Sequence, residues 1–134
     1  MRHEHREIQE RILERFEGKF HVSIENRGRI SLPDKDRHWY QPDVILSSHE
    51  IEYIIEVECD PMRKVIVGAC VLADASIKEL HQQVKPKLIF VVYTEQGIKQ
   101  IGNFKDKIDI AKPYCQALGE IKVVSRADFE KLQL

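Results

Sequence analysis

Residues 88–93 read Leu-Ile-Phe-Val-Val-Tyr, an unbroken apolar run that follows Pro86. A strand with no polar alternate positions has no face to offer to water, so this one must be covered on both sides. That requires helices above and below a sheet, and the flanking sequence supplies them. Ile8, Ile12, Leu13 and Phe16 fall on one helical face, with Gly18 as a stop. Val65, Ile66, Ala69, Cys70, Leu72 and Ala73 make a second helix that is apolar nearly all round, which predicts deep packing. Asp60 suits its N-cap and Pro61 its first turn, and a kink is expected near residues 74–76 before the helix resumes over 77–84. A third helix begins at Gly97 and carries Ile98, Ile101, Phe104 (or Lys105), Ile108, Ala111, Cys115 and Leu118 as far as Gly119.

The remaining strands alternate. Phe20, Val22 and Ile24 interleave with polar residues, residues 43–46 form a short strand after Pro42, and residues 51–58 put Ile51, Tyr53, Ile55 and Val57 on one face. Residues 25–41, polar and interrupted by Gly28 and Pro33, read as a long loop or ragged hairpin. Residues 121–124 form a last strand, and Ser125 with Asp128 reads as a capping box for a terminal helix. The resulting order, α-β-β-β-α-β-α-β-α, implies an α/β fold with a mixed sheet and helices on both faces. At 134 residues it is expected to be a single domain, 1–134.

Charge and cysteines narrow the classes. Lys and Arg number 21 against 22 Asp and Glu, a net charge of −1, which excludes coating of nucleic acid by bulk charge but leaves room for a local basic patch. The 3 cysteines, Cys59, Cys70 and Cys115, are odd in number and form no C-x-x-C pair, as expected of buried thiols in a reducing compartment. The first residues are too polar for a signal peptide and no apolar run is long enough for a bilayer, so no membrane association and a cytoplasmic location are expected.

The chemistry concentrates in Gln41-Pro42-Asp43-Val44-Ile45 and Ile54-Ile55-Glu56-Val57-Glu58. Side chains alternate along a strand, so Glu56 and Glu58 share a face. A two-residue turn at Ser48-His49 places Asp43 opposite Ile54 and diagonal to Glu56, about 7 Å apart at the backbone, close enough for two carboxylates to share a cation. Any even turn keeps these acids on one face, and a bulge breaks the parity. Residues 50–60 contain Glu50, Glu52, Glu56, Glu58 and Asp60 without Lys or Arg. Acids crowded in this way repel, and a divalent ion removes the repulsion. Oxygen ligands favour Mg²⁺ or Mn²⁺. The alternative is a solvated strand face, which suffices for Glu50 and Glu52.

Pro42-Asp43 followed by Glu56-x-Glu58 at the end of the next strand, within an α-β-β-β-α-β order over residues 1–93, resembles the PD-(D/E)XK nuclease superfamily, to which restriction endonucleases and archaeal Holliday-junction resolvases belong. The resemblance implies a restriction-endonuclease-like fold with a C-terminal α-β-α extension. It implies an Mg²⁺-dependent endonuclease acting on phosphodiester bonds of DNA. Asp43 and Glu56 would hold the metal with the Val57 carbonyl. The third motif position usually carries Lys; here it is Glu58, which would ligate a second ion or orient water. Some members move the lysine into the next helix, where Lys64 stands; the alternative is an exposed lysine. Some members take a glutamate from the first helix, but its inward polar positions here are His5 and Gln9, while Glu7, Glu10 and Glu14 point away. Many members pair two sites, so a homodimer or larger complex is expected.

Contact with nucleic acid falls to residues 26–38, where Arg27, Arg29, Lys35 and Arg37 outnumber Asp34 and Asp36, and to Trp39, which follows them. Arg27 and Arg29 would touch phosphates and Trp39 would stack on a base; a polar loop anchored to the core by Trp39 is the alternative. His3-x-His5 has no companion ligands, Cys59 has no His partner, and no phosphate-cradling glycine loop exists. Against the enzyme stands a catalytically inactive nucleic-acid-binding or assembly module that keeps the nuclease fold; the missing strand lysine, near-neutral charge and small size favour it.

Overall fold

The computed structural model describes residues 3–24, 31–34, 36–58 and 63–134. The chain runs through α1 (His3–Phe16), β1 (His21–Ile24), a hairpin of β2 (Leu32–Asp34) and β3 (Arg37–Tyr40), then β4 (Val44–Ser47) and β5 (Ile51–Glu58). α2 (Arg63–Leu80) leads to β6 (Lys87–Val92). α3 (Glu95–Lys99), α4 (Ile101–Ala111) and a 3-10 turn (Lys112–Tyr114) precede β7 (Ile121–Ser125) and α5 (Arg126–Lys131). The fold is mixed α/β: five helices, among the described residues, surround a five-stranded sheet in the order β1-β4-β5-β6-β7. β1, β4 and β5 pair antiparallel, whereas β5, β6 and β7 pair parallel.

β6 lies inside this sheet and is covered on both faces. Leu88, Phe90 and Val92 pack in one cluster with Ile66, Ala69, Cys70, Ala73 and Ile77 of α2 and Phe104 and Ile108 of α4. Ile89 and Val91 pack in the other, with Ile8, Ile12 and Phe16 of α1 and Phe129 of α5. The same alternation divides β5, with Ile54 on the α2 side and Ile55 and Val57 on the α1 side.

The β4–β5 turn departs from the expected register. Val44 pairs with Ile55, Ile45 with Ile54 and Leu46 with Tyr53, but Ser47 pairs with Ile51. Three residues separate the strands rather than two, which alone would reverse every side chain on one of them. The bulge at Glu52 supplies the compensating residue. Parity survives, and the register slides by two, so Asp43 lies level with Glu56 instead of Ile54.

Of residues 25–41, read as a long loop or ragged hairpin, the described part takes the hairpin form, and residues 25–30 and 35 lie outside the described residues. β2 and β3 form a separate two-stranded sheet that lies on α2. Asp34 closes its turn by accepting the N–H groups of Asp36 and Arg37 at 2.9 and 3.0 Å. The buried anchors are Leu32 and Tyr40, whereas Trp39 is 43% exposed.

α2 has no kink at 74–76. Ser76 bonds back to the Leu72 carbonyl at 2.7 Å and Asp74 accepts the Ala117 N–H at 2.8 Å, so both polar residues are satisfied within the helix packing. The helix ends at Leu80, where His81 takes a left-handed backbone with φ of 53°, and does not continue to 84. Nor is it buried all round: Val65 (47% exposed), Val71 (50%) and Leu72 (42%) face outward. Its proposed cap, Asp60 with Pro61, lies outside the described residues.

The third helix divides. Thr94 caps α3 through the Gly97 N–H at 3.0 Å, and α3 closes at Gln100, from which α4 starts. α4 gives way to the 3-10 turn at Pro113, whose ring nitrogen has no hydrogen to donate. Cys115 and Leu118 therefore reach the core from beyond the helix. Gly119 then passes against the segment before β6: its N–H donates to the Pro86 carbonyl at 2.8 Å. A Cβ there would sit 2.8 Å from the Lys85 carbonyl oxygen.

Candidate functional site

β5 carries Glu56 and Glu58 toward the α2 side, and the end of β5 runs beyond the start of β4, where Asp43 stands. Glu56 is buried, 8% exposed. Its two carboxylate oxygens are held by one short segment: Oε1 accepts the Asp43 N–H at 2.9 Å and Oε2 accepts the Tyr40 hydroxyl at 2.9 Å. Asp43 returns the contact to β5, its Oδ2 accepting the Val57 N–H at 2.8 Å.

Two residues of α1 reach the same place. His5 Nε2 lies 3.4 Å from Asp43 Oδ1, and the Gln9 side chain donates to the Asp43 carbonyl at 3.4 Å. Both are buried, as their inward helical angle requires. The His5 ring meets Tyr93 edge to face, with centroids 6.4 Å apart.

The Val57 amide direction locates its carbonyl. N–H and C=O of one residue in an extended strand point to the same side. Since the Val57 N–H points to Asp43, its carbonyl does too. The Glu58 carbonyl points the other way and accepts the Tyr93 N–H at 3.4 Å. The Val57 carbonyl therefore lies on the same edge of β5 as the amide that meets the Asp43 carboxylate.

Electrostatics follow from burial. Desolvation first, and then the Asp43 charge, push the Glu56 carboxyl well above its ordinary value, with Glu58 adding a smaller effect. The bonds from the Asp43 amide and the Tyr40 hydroxyl act in the opposite direction. Burial, followed by the Glu56 charge, raises the Tyr40 phenol as well.

The oxygen donors Asp43, Glu56 and Val57 fit Mg²⁺ or Mn²⁺ by chemistry. Each carboxylate oxygen offers two lone pairs, so the internal bonds leave capacity for a cation. Among the described residues, no group of three or more His, Cys, Asp or Glu side chains is arranged to hold a metal ion. The donor set therefore depends on the Val57 carbonyl rather than on a third side chain. Glu58 is half-buried and on the face of Glu56. Its influence enters through charge.

The other candidates separate. Lys64 occupies the first turn of α2, and its side chain lies outside the described residues. Arg27 and Arg29 also lie outside them. Arg37 is engaged with Glu79 of α2. Trp39 is on the surface of the hairpin, so it does not anchor it. Tyr40, which sequence reasoning passed over, takes that place. Strand alternation offered the only signal, since neighbours in β3 must face opposite ways.

No family model, curated protein or solved structure matches this chain.

Proposed function

We propose that this domain is a metal-dependent nuclease of the PD-(D/E)XK type that hydrolyses phosphodiester bonds in DNA. One observation carries the reading: Asp43 and Glu56, from adjacent strand ends, interlock through the Asp43 amide on Glu56 and the Asp43 carboxylate on the Val57 amide. The order α1, β1, β4, β5, α2, β6 supports a restriction-endonuclease-like topology, with the β2–β3 hairpin inserted after the first strand of the sheet and the segments after β6 as an extension.

In this reading Asp43, Glu56 and the Val57 carbonyl hold Mg²⁺. The bound ion would supply charge for the scissile phosphate and lower the pKa of the attacking water. The protein's own part is to fix the donors. The Val57 amide and His5 orient Asp43, the Asp43 amide and Tyr40 orient Glu56, and Glu58 would ligate a second ion or orient the water. Lys64, at the start of α2, stabilises developing negative charge. Trp39, Arg27 and Arg29 serve DNA contact. Pairing of two copies to cut both strands belongs to the same proposal, and sedimentation with and without DNA tests it.

The experiment is cleavage of plasmid and oligonucleotide DNA with Mg²⁺ or Mn²⁺. Metal-dependent cutting that Glu56→Gln abolishes is expected, and wild type that leaves every DNA intact overturns the reading. A second reading rests on the internal satisfaction of both carboxylates together with Glu58 in place of lysine: a binding module without catalysis. It predicts DNA affinity that Glu56→Gln leaves unchanged.

A further inference from the structure

The β2–β3 hairpin is not part of the five-stranded sheet. Its buried polar tie to that sheet is the Tyr40 hydroxyl on Glu56, at 2.9 Å. Tyr40 is 6% exposed and packs among the α2-side residues, Ile54 and Ile66 included. The chain then needs only Gln41 and Pro42 to reach Asp43, whose amide takes the other oxygen of Glu56. Four consecutive residues therefore clasp one carboxylate at both ends. Trp39, next to Tyr40 in β3, lies on the opposite side of the hairpin and faces solvent. Trp39 and Tyr40 share a peptide plane, so a backbone displacement at the exposed residue is passed to the buried one, whose ring is held by its packing and by Glu56.

We propose that Tyr40 is a positioning residue for Glu56, and that through it the exposed Trp39 surface of the hairpin is mechanically coupled to the acid pair. The inference rests on the nuclease reading and deepens it: the element that meets the nucleic acid also sets the rotamer of the metal-holding acid. With the hydroxyl in place, Oε2 is fixed by Tyr40 while Oε1 stays on the Asp43 amide, so the plane of the carboxylate is set. Without it, the carboxylate rotates about its last bond and loses that alignment. Substrate stacking on Trp39 acts on Glu56 by the same route.

Trp39 is the sole tryptophan, so its emission reports on this hairpin alone. The probe is Mg²⁺, which does not quench. Calorimetry and Trp39 emission are followed during Mg²⁺ titration of wild type and Tyr40→Phe, which keeps the ring and its packing. Wild type should bind Mg²⁺ and shift its emission. Tyr40→Phe should bind about tenfold more weakly, and at saturation its emission should stay where it is without metal. Unchanged affinity in Tyr40→Phe, or an emission shift equal to that of wild type, overturns the inference while leaving the nuclease reading intact. Wild type that takes up no Mg²⁺ by calorimetry overturns both, and it does so before the variant is compared.

Discussion

The amide of Asp43 donates to the carboxylate of Glu56 at 2.9 Å, so the backbone of one acid partly neutralises the side chain of the other. Their two negative charges still repel: the Asp43 charge is the second largest cause, after burial, of the raised Glu56 pKa. The bond and the repulsion separate under mutation.

Asp43→Asn keeps an oxygen for the Val57 amide and removes the charge. The Glu56 carboxyl should move back toward its ordinary value, read by carbon NMR of the carboxyl group. Asp43→Ala also strands the Val57 N–H, and should cost about 1–3 kcal/mol more than the asparagine variant in urea unfolding.

Stability without divalent metal should fall as pH rises. Burial and the Asp43 charge hold the Glu56 pKa well above that of an ordinary carboxyl, so between the two values the folded form keeps a proton that the unfolded chain has released. The contribution is complete below the unfolded carboxyl's pKa and is lost as pH climbs through the folded one. Urea midpoints for wild type should decline across that window more steeply than for Glu56→Gln. Parallel curves would remove Glu56 from the effect.

Asp74 and Lys78 form an ion pair at 2.8 Å, yet the two should differ in worth. Asp74 is buried and accepts the Ala117 N–H, so Asp74→Ala should destabilise by about 1–3 kcal/mol. Lys78 is mostly exposed, and Lys78→Ala should cost less than about 1 kcal/mol. Thermal melts of both variants test the ranking.

Glycines should respond in opposite directions. A Cβ at Gly119 meets a backbone oxygen at 2.8 Å, so Gly119→Ala should cost about 1–3 kcal/mol. Gly68 of α2 and Gly102 of α4 have open space around them, and alanine there should add about 0.5–1 kcal/mol through helix propensity.

The thiols in the core should resist reagents. Burial first, and then Cys115, push the Cys70 thiol up to about 12, and burial raises Cys115 as well. Native protein should alkylate at neither within the time that denatured protein takes to react fully, as read by mass mapping of each cysteine.

Periodicity made much of this architecture legible. The 3.6-residue angle turned His5 and Gln9 of α1 inward, and alternation placed Ile54 and Glu56 opposite Ile55 and Val57. What periodicity could not reach was anything decided between elements. A hairpin whose strands hold three and four residues has too little pattern to announce itself, so Tyr40 was lost between Trp39 and Gln41. Pro113 was the readable sign that α4 must stop, and apolar spacing through Cys115 and Leu118 overrode it. An α2 apolar nearly all round over residues 65–73 suggested deep packing, but a helix on the outside of a three-layer fold leaves one side uncovered whatever its composition.

The bulge at Glu52 makes the distant acid pair sensitive to chain length rather than to local chemistry. Between Ile51 and Glu56 the strand covers about 16 Å, too far for a turn substitution to act by contact. A single deletion at residues 48–52 would nonetheless reach the far end undiminished, because it exchanges the two faces of the ladder along its whole length. Glu56 would be carried toward the α1 side and Ile55 toward Asp43. Removing two residues together would restore the phase. The strand thus transmits a binary signal, odd or even, and the turn is its switchboard.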